Sequence, residues 1–242
     1  VIVNNNILIL PDPHFPLHNA EYINACVDIA LNFGVDTVGI PGDITEQSVF
    51  SYFGRDIGVE WKHEKAATKD AIIALGQTFR RVVLAPGNHD VRIIRRLEHS
   101  VNEDDWVDML REWFVDLGNR LTITPYHWFL VQSGDRTFRV THPKNSNRIP
   151  TSVAVRLCHK YRQSIISGHS HVTGIRRDES GGDWCIDAGM CADETRMRYM
   201  MMEDSTRPAT NLGAVLIIDG TPILLEEDTL ALYARMRLTG VS

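Results

Sequence analysis

Short apolar runs alternate with longer amphipathic stretches along this chain, the order that builds α/β domains. Residues 7–10 form an apolar run ending at Pro11 and predict a buried strand. Residues 19–33 have helical spacing, with Asn19 placed to cap the first turn and Gly34 to stop the last. A second strand is expected over 35–40. A helix over about 60–79 stacks Ala67, Ala71, Leu75 and Phe79 at four-residue spacing. A third strand, 81–85, is broken by Pro86 and Gly87, and helices over 91–99 and 104–117 follow. Around 128–141 the pattern turns to β pieces joined at Ser133-Gly134-Asp135. A helix over 152–161 places Ala154, Leu157, Cys158 and Tyr161 on one face. Strands are predicted at 164–167, 183–186, 213–218 and 222–225. With no repeat, low-complexity tract or Pro/Gly/Ser-rich linker, residues 1–242 read as one domain. Its last part, 188–242, is an irregular Met-rich segment followed by C-terminal strands.

Composition narrows the class. A chain of 242 residues, 43% of them hydrophobic, can bury a sizeable core and is not disordered. No apolar run reaches the length of a bilayer span, so no membrane association is expected. A net charge of -6 argues against a protein that holds DNA by a general excess of positive charge, though a local basic cleft stays open. Cys26, Cys158, Cys185 and Cys191 form no C-x-x-C pair, which predicts reduced thiols and a cytoplasmic location rather than a disulfide framework. The strand-like run begins almost at once, and no signal peptide is expected.

Polar clusters follow the predicted strands: Asp12-Pro13-His14, Gly42-Asp43, Gly87-Asn88-His89-Asp90, Thr141-His142 and Gly168-His169-Ser170-His171. Ligands of open α/β sheets bind beyond the carboxyl ends of strands, so these clusters can converge. Singly, each has an ordinary explanation as a turn, a helix cap or a satisfied core histidine. Together they offer carboxylates, an amide and imidazoles, a donor set suited to a pair of divalent transition metals. Two such ions can generate hydroxide and clamp a phosphoryl group.

The series D-x-H, G-D, G-N-H-D, H, G-H-x-H resembles the calcineurin-like metallophosphoesterases, over about residues 7–171. The stretches from Gly42 to Phe53 and from Gly87 to Arg92 look most like the branch common in bacteriophage genomes. The resemblance implies a four-layer α/β/β/α sandwich. It also implies a dinuclear metal-dependent phosphoesterase, a hydrolase in which a metal-bridging hydroxide attacks phosphorus. Carried over by position, Asp12, His14 and His171 would hold one metal, Asn88, His142 and His169 the other, and Asp43 would bridge them. Manganese is the first expectation, with iron, zinc and nickel as other choices. His89 matches the residue that protonates the leaving oxygen, and Asp90 would orient His89 through its ring. Glu46 stands where the family has Asp, which shifts an outer carboxylate without removing a ligand.

The substrate is not fixed by the fold. Glu46-Gln47-Ser48 replaces the D-R-G of Ser/Thr protein phosphatases, which argues against that branch. The complete ligand set and the arginines after the third motif lead to the expectation of a phosphodiesterase or phosphomonoesterase acting on a nucleotide or nucleic-acid end. Arg92, Arg95 and Arg96 share one helix face beyond the third motif and are the candidate substrate-binding residues. A solvated face paired with Glu98 or Glu103 is the ordinary alternative. Lys144 and Arg148 raise the same question less strongly. The five tryptophans do not form a base-stacking series. Two other roles stay open, a non-catalytic scaffold binding a protein partner and a nuclease subunit acting on long DNA. The oligomeric state and the Met-rich run at 197–202, which could cover the site or pack on another subunit, are left open too.

Overall fold

The computed structural model describes residues 1–51, 59–97, 102–197 and 210–238. Twelve described strands form two six-stranded sheets. The strands are β1 (Ile2–Asn4), β2 (Ile7–Ile9), β3 (Thr37–Ile40), β4 (Arg81–Leu84), β5 (Leu121–Ile123) and β6 (Trp128–Ser133). They continue as β7 (Arg136–Thr141), β8 (Ser164–Ser167), β9 (Thr173–Arg177), β10 (Trp184–Ala188), β11 (Ala214–Ile218) and β12 (Thr221–Leu225). One sheet runs β1-β6-β7-β8-β10-β9 and the other β12-β11-β2-β3-β4-β5. The helices are α1 (Ala20–Asn32), α2 (Trp61–Thr78), α3 (Arg92–Arg96), α4 (Glu103–Trp113), α5 (Ser152–Tyr161) and α6 (Glu227–Leu238).

Period-two alternation sets the layers. Ile7, Ile9, Val83, Val215 and Ile217 face the other sheet, where Phe129, Val131, Phe138 and Val140 meet them. Leu8, Val38, Ile40, Val82 and Leu84 point the opposite way, onto the residues of α1, α2 and α4. On the far side of the molecule, Ala154 and Cys158 of α5 pack on Ile165 and Cys185. The result is a mixed α/β fold of two packed sheets flanked by helices, as the sequence predicts. Strands β2 to β5 are parallel, as are β7, β8 and β10, so β2, β3, β4, β7 and β8 all end at one rim.

Several boundaries match the sequence reading. Asn19 caps α1, its side chain accepting from the Tyr22 N–H, and Gly34 follows the helix at φ +69°. Helix α5 spans the predicted residues. Others differ. The buried stripe of α2 is Glu64, Thr68, Ile72 and Leu75, one row round from the alanines chosen by spacing. Helix α3 stops at Arg96, and residues 98 and 99 lie outside the described residues. Helix α4 ends at Trp113 and passes into 3₁₀ turns. Strands β1, β5 and β9 and helix α6 were not anticipated. Of the Met-rich run, Met197 is buried while 198–202 lie outside the described residues, as do Tyr52 and Phe53 of the motif stretch. All four cysteines are buried free thiols.

Gly39 of β3 lets the sheets close. A Cβ there would come within 2.7 Å of Phe129 Cζ and 3.2 Å of the Cδ1 atoms of Ile7 and Ile9. Gly39→Ala is therefore expected to destabilise the fold by about 1–3 kcal/mol through overpacking. Urea unfolding should show the midpoint fall with the slope unchanged.

Candidate metal centre

Every polar cluster of the sequence series lies at the shared rim. Asp12 and His14 follow β2, Asp43 follows β3, Asn88 to Asp90 follow β4, His142 follows β7, and His169 and His171 follow β8. Asp12, His14, Asp43 and His142 are all at most 2% exposed. The backbone is bent hard to bring them in: Asp12, His14, Asp43, His169 and His171 all have φ between +45° and +71°. Left-handed backbone costs a non-glycine residue on the order of 1 kcal/mol, so the strain is concentrated at this rim. Gly87 is obligatory there, because a Cβ would lie 2.1 Å from the Asp43 backbone nitrogen.

Asp43 sits at the middle. Its Oδ1 accepts the His89 N–H at 2.8 Å, while its Oδ2 lies 3.6 Å from His14 Nε2, 3.5 Å from His142 Nε2 and 4.0 Å from His89 Nε2. On one side, Asp12 Oδ1 lies 3.1 Å from His142 Nδ1 and Asp12 Oδ2 3.7 Å from His171 Nε2. The His169 N–H also donates to Asp12 Oδ2, at 2.5 Å. Asn88 Oδ1 lies 2.9 Å from His142 Nε2. Two triads have their donor atoms within 4.8 Å of one another, His14–Asp43–His89 and Asp43–His142–His169, and Asp43 belongs to both.

These residues fit divalent cations. Asp12 Oδ1, His14 Nε2 and His142 Nδ1 are buried and have no hydrogen-bond partner, a costly state for polar atoms that a bound cation relieves. Burial alone would raise Asp12 and Asp43, but His142 and the neighbouring imidazoles hold both carboxyls below their usual range. Burial pushes His169 and His171 down to about 4, so both rings are neutral and carry lone pairs for coordination at neutral pH. Against the same burial, Asp43 and Asp12 raise His142 to about 9.

Glu46 and Asp90 divide the outer work differently from the sequence reading. Glu46 Oε2 lies 2.8 Å from His14 Nδ1 and 3.1 Å from His89 Nδ1, and the Glu46 carbonyl lies 3.0 Å from the same His89 nitrogen. The ring of His89 is thus oriented by Glu46, not by Asp90. The longer side chain reaches two imidazoles at once and leaves both Nε2 atoms toward Asp43. Asp90 instead accepts backbone N–H groups of Gly87, Ile44 and Thr45 at 2.7–3.1 Å, with the Thr45 hydroxyl at 2.8 Å. It fastens the loop after β4 to the loop after β3.

The three arginines part company. Arg92 reaches the rim, donating to His89 Nε2 at 2.8 Å and to the Glu46 carbonyl at 2.9 Å. Arg96 donates to the carbonyls of Phe50 and Ser51. Arg95 is exposed. Sequence reasoning missed Glu64. It is 1% exposed and accepts the Gln47 N–H at 2.6 Å, where Gln47 holds φ +48° and bonds Thr45, the Asp90 carbonyl and the Ile93 N–H. An acidic residue in register with the buried stripe Thr68, Ile72 and Leu75 was the available signal.

Comparison with known proteins places this geometry. Residues 6–173 match the model of the family described as calcineurin-like phosphoesterase. The chain belongs to that family. Similar solved structures include Yfce, a phosphoesterase from E. coli (14% identity, 91% of this chain and 98% of that one, TM-score 0.46). A dimetal phosphatase from Danio rerio shows 9% identity over 92% and 95% of the two chains, with a TM-score of 0.47. Vps29 from Chaetomium thermophilum shows 10% identity over 91% and 88%, with a TM-score of 0.48. No curated protein matches the chain. The family match does not separate the family's branches, the bacteriophage one included.

Two outcomes test the site. Chelator-stripped protein should gain thermal stability on addition of manganese, by about 2.7 kcal/mol at a hundredfold excess over Kd, and Asp43→Asn should abolish most of the gain. The second concerns Glu64, which burial, reinforced by Glu46 and Asp90, raises from 4.5 to about 7. The folded protein keeps this proton where the unfolded chain has lost it, so stability falls as pH rises from about 4.5 to 7. Glu64→Gln, which can still accept from Gln47, should therefore gain on wild type across that window, by up to about 3 kcal/mol. Denaturant unfolding at pH 5 and pH 8 measures the difference.

Proposed function

We propose that the chain hydrolyses a phosphoester, a phosphodiester or phosphomonoester of a nucleotide or nucleic-acid end, with two manganese ions held at the rim. The observation that carries this reading is the pair of donor triads sharing Asp43, with orphaned ligand atoms on Asp12, His14 and His142. Asp12, His14 and His171 would hold one ion, Asn88, His142 and His169 the other, and Asp43 both. When bound, the pair supplies a water nucleophile of lowered pKa and neutralises phosphoryl oxygens.

The protein's own groups prepare the rest. Arginine only donates, so Arg92 bonded at Nε2 makes that nitrogen of His89 an acceptor and places the ring proton on Nδ1, toward Glu46. His89 can serve as proton donor to a leaving oxygen once Arg92 turns from Nε2 to a phosphoryl oxygen and Nε2 takes up a proton. Glu46 stabilises the imidazolium so formed, as a carboxylate held well below its usual range by His89 and His14 against burial. Arg92, beside His89, would read substrate.

Manganese-loaded protein should hydrolyse a bis-aryl phosphate or an aryl monophosphate. Neither reaction occurring would overturn the proposal. His89→Ala should slow esters with poor leaving groups by about 10²–10⁴-fold and affect nitrophenyl esters much less. An equal loss on both would remove His89 from the acid role.

A further inference from the structure

The outer face of the first sheet carries a stack of side chains with no part in the metal centre. The rings of Tyr126 and Trp128 are stacked, with centroids 5.6 Å apart. The Arg139 guanidinium lies 3.7 Å from the centroid of Trp128 and 4.1 Å from that of Tyr161, and Lys160 Nζ lies 5.2 Å from Tyr161. These side chains make one ladder of π faces and cations. Tyr126, at one end, is 59% exposed, and Tyr161, with Lys160 beyond it, is 37% exposed.

The ladder starts at the metal centre. Trp128 is paired with Thr141, the residue before His142, and the His142 N–H bonds the His127 carbonyl at 2.8 Å. From there it crosses β7 toward the end of α5, which packs on β8 and β10. Lys144 and Arg148, both exposed, stand on the loop that leaves His142.

Charge is segregated in the same part of the chain. Residues 136–177 contain nine Lys or Arg and no Asp or Glu, against a net charge of -6 for the whole, leaving -15 for the rest. The acidic side chains that bound this stretch, Asp135 on the turn between β6 and β7 and Asp178, Glu179 and Asp183 on the turn between β9 and β10, lie at the end of the sheet opposite the metal centre. A polyanion is therefore attracted to this stretch more than to the rest of the chain. Flat π faces choose among polyanions: they stack on bases irrespective of sequence, and an acidic peptide offers them no flat partner.

We propose that this face binds a single strand of nucleic acid, with bases stacked on Tyr126 and Tyr161 and the backbone led by Lys160, Lys144 and Arg148 to the metal centre. The proposal rests on the phosphoesterase reading for what happens at the end of that path, and names its substrate as a strand rather than a free nucleotide. The binding itself needs no turnover.

Fluorescence anisotropy with labelled single-stranded DNA and RNA oligonucleotides, in the presence of chelator, tests it. At least one oligonucleotide should bind, more weakly at about 200 mM than at about 50 mM salt. Tyr126→Ala should weaken binding about tenfold by loss of one stacked base, and Lys160→Glu should weaken it and flatten the salt dependence. Hydrolysis of a bis-aryl phosphate by Tyr126→Ala should match wild type. Absence of binding by both oligonucleotides, wild-type affinity in both variants, or displacement by polyglutamate as readily as by unlabelled oligonucleotide would overturn it. Binding with these losses in a protein that hydrolyses no aryl phosphate would keep the surface and defeat the phosphoesterase reading.

Discussion

The structure turns on a buried carboxylate. Asp43 is 1% exposed, ionised, and placed where the two sheets' rims meet, within 4.0 Å of three imidazoles. Burying such a charge is costly unless it is matched. Matching it with side chains alone requires protons on His14 and His142, the two imidazoles the carboxylates raise. Two cations held by the same donors would satisfy Asp12 and Asp43 together and leave those rings to coordinate. This single requirement explains why so many polar groups are packed into a space that an apolar core would otherwise fill.

Holding that charge requires a frame. Asp43 and four of the residues around it have left-handed backbone, which loops tolerate only when their surroundings fix them. Asp90 does much of this fixing, accepting from three backbone amides on two loops. Gln47 adds a third connection, from the turn after β3 to the start of α3, and is itself tied to α2 through Glu64. The strands contribute a flat and well-packed base: Gly39 lets the sheets meet, so loops from both sheets reach one point. Fold and site are coupled through these loops more than through any ligand residue alone.

Much of this was legible in the residues themselves. Strand ends marked by Pro11 and Pro86 placed the clusters at one rim, and the motif series resembled the family that residues 6–173 match. What escaped was set by geometry. Asp90 follows His89 directly, which suggested contact with its ring, but the turn after Gly87 sends the carboxylate into backbone amides and gives the ring to Glu46. Strands of three to five residues, such as β1, β5 and β9, are too short to show a period and form because a neighbouring edge offers pairing. The ladder of Tyr126, Trp128, Arg139 and Tyr161 brings together three stretches of chain, so tryptophan spacing could not reveal it. Charge segregation was readable in any window from 136 to 177, and the net value concealed it.

The central claim is that Asp43 is shared by two cations. Crystals of the manganese-loaded protein, measured at the metal absorption edge, test it most directly. Two anomalous peaks should appear, one on each side of the Asp43 carboxylate, the first against Asp12, His14 and His171 and the second against Asn88, His142 and His169. A single peak, or peaks away from Asp43 in fully loaded protein, would contradict the account.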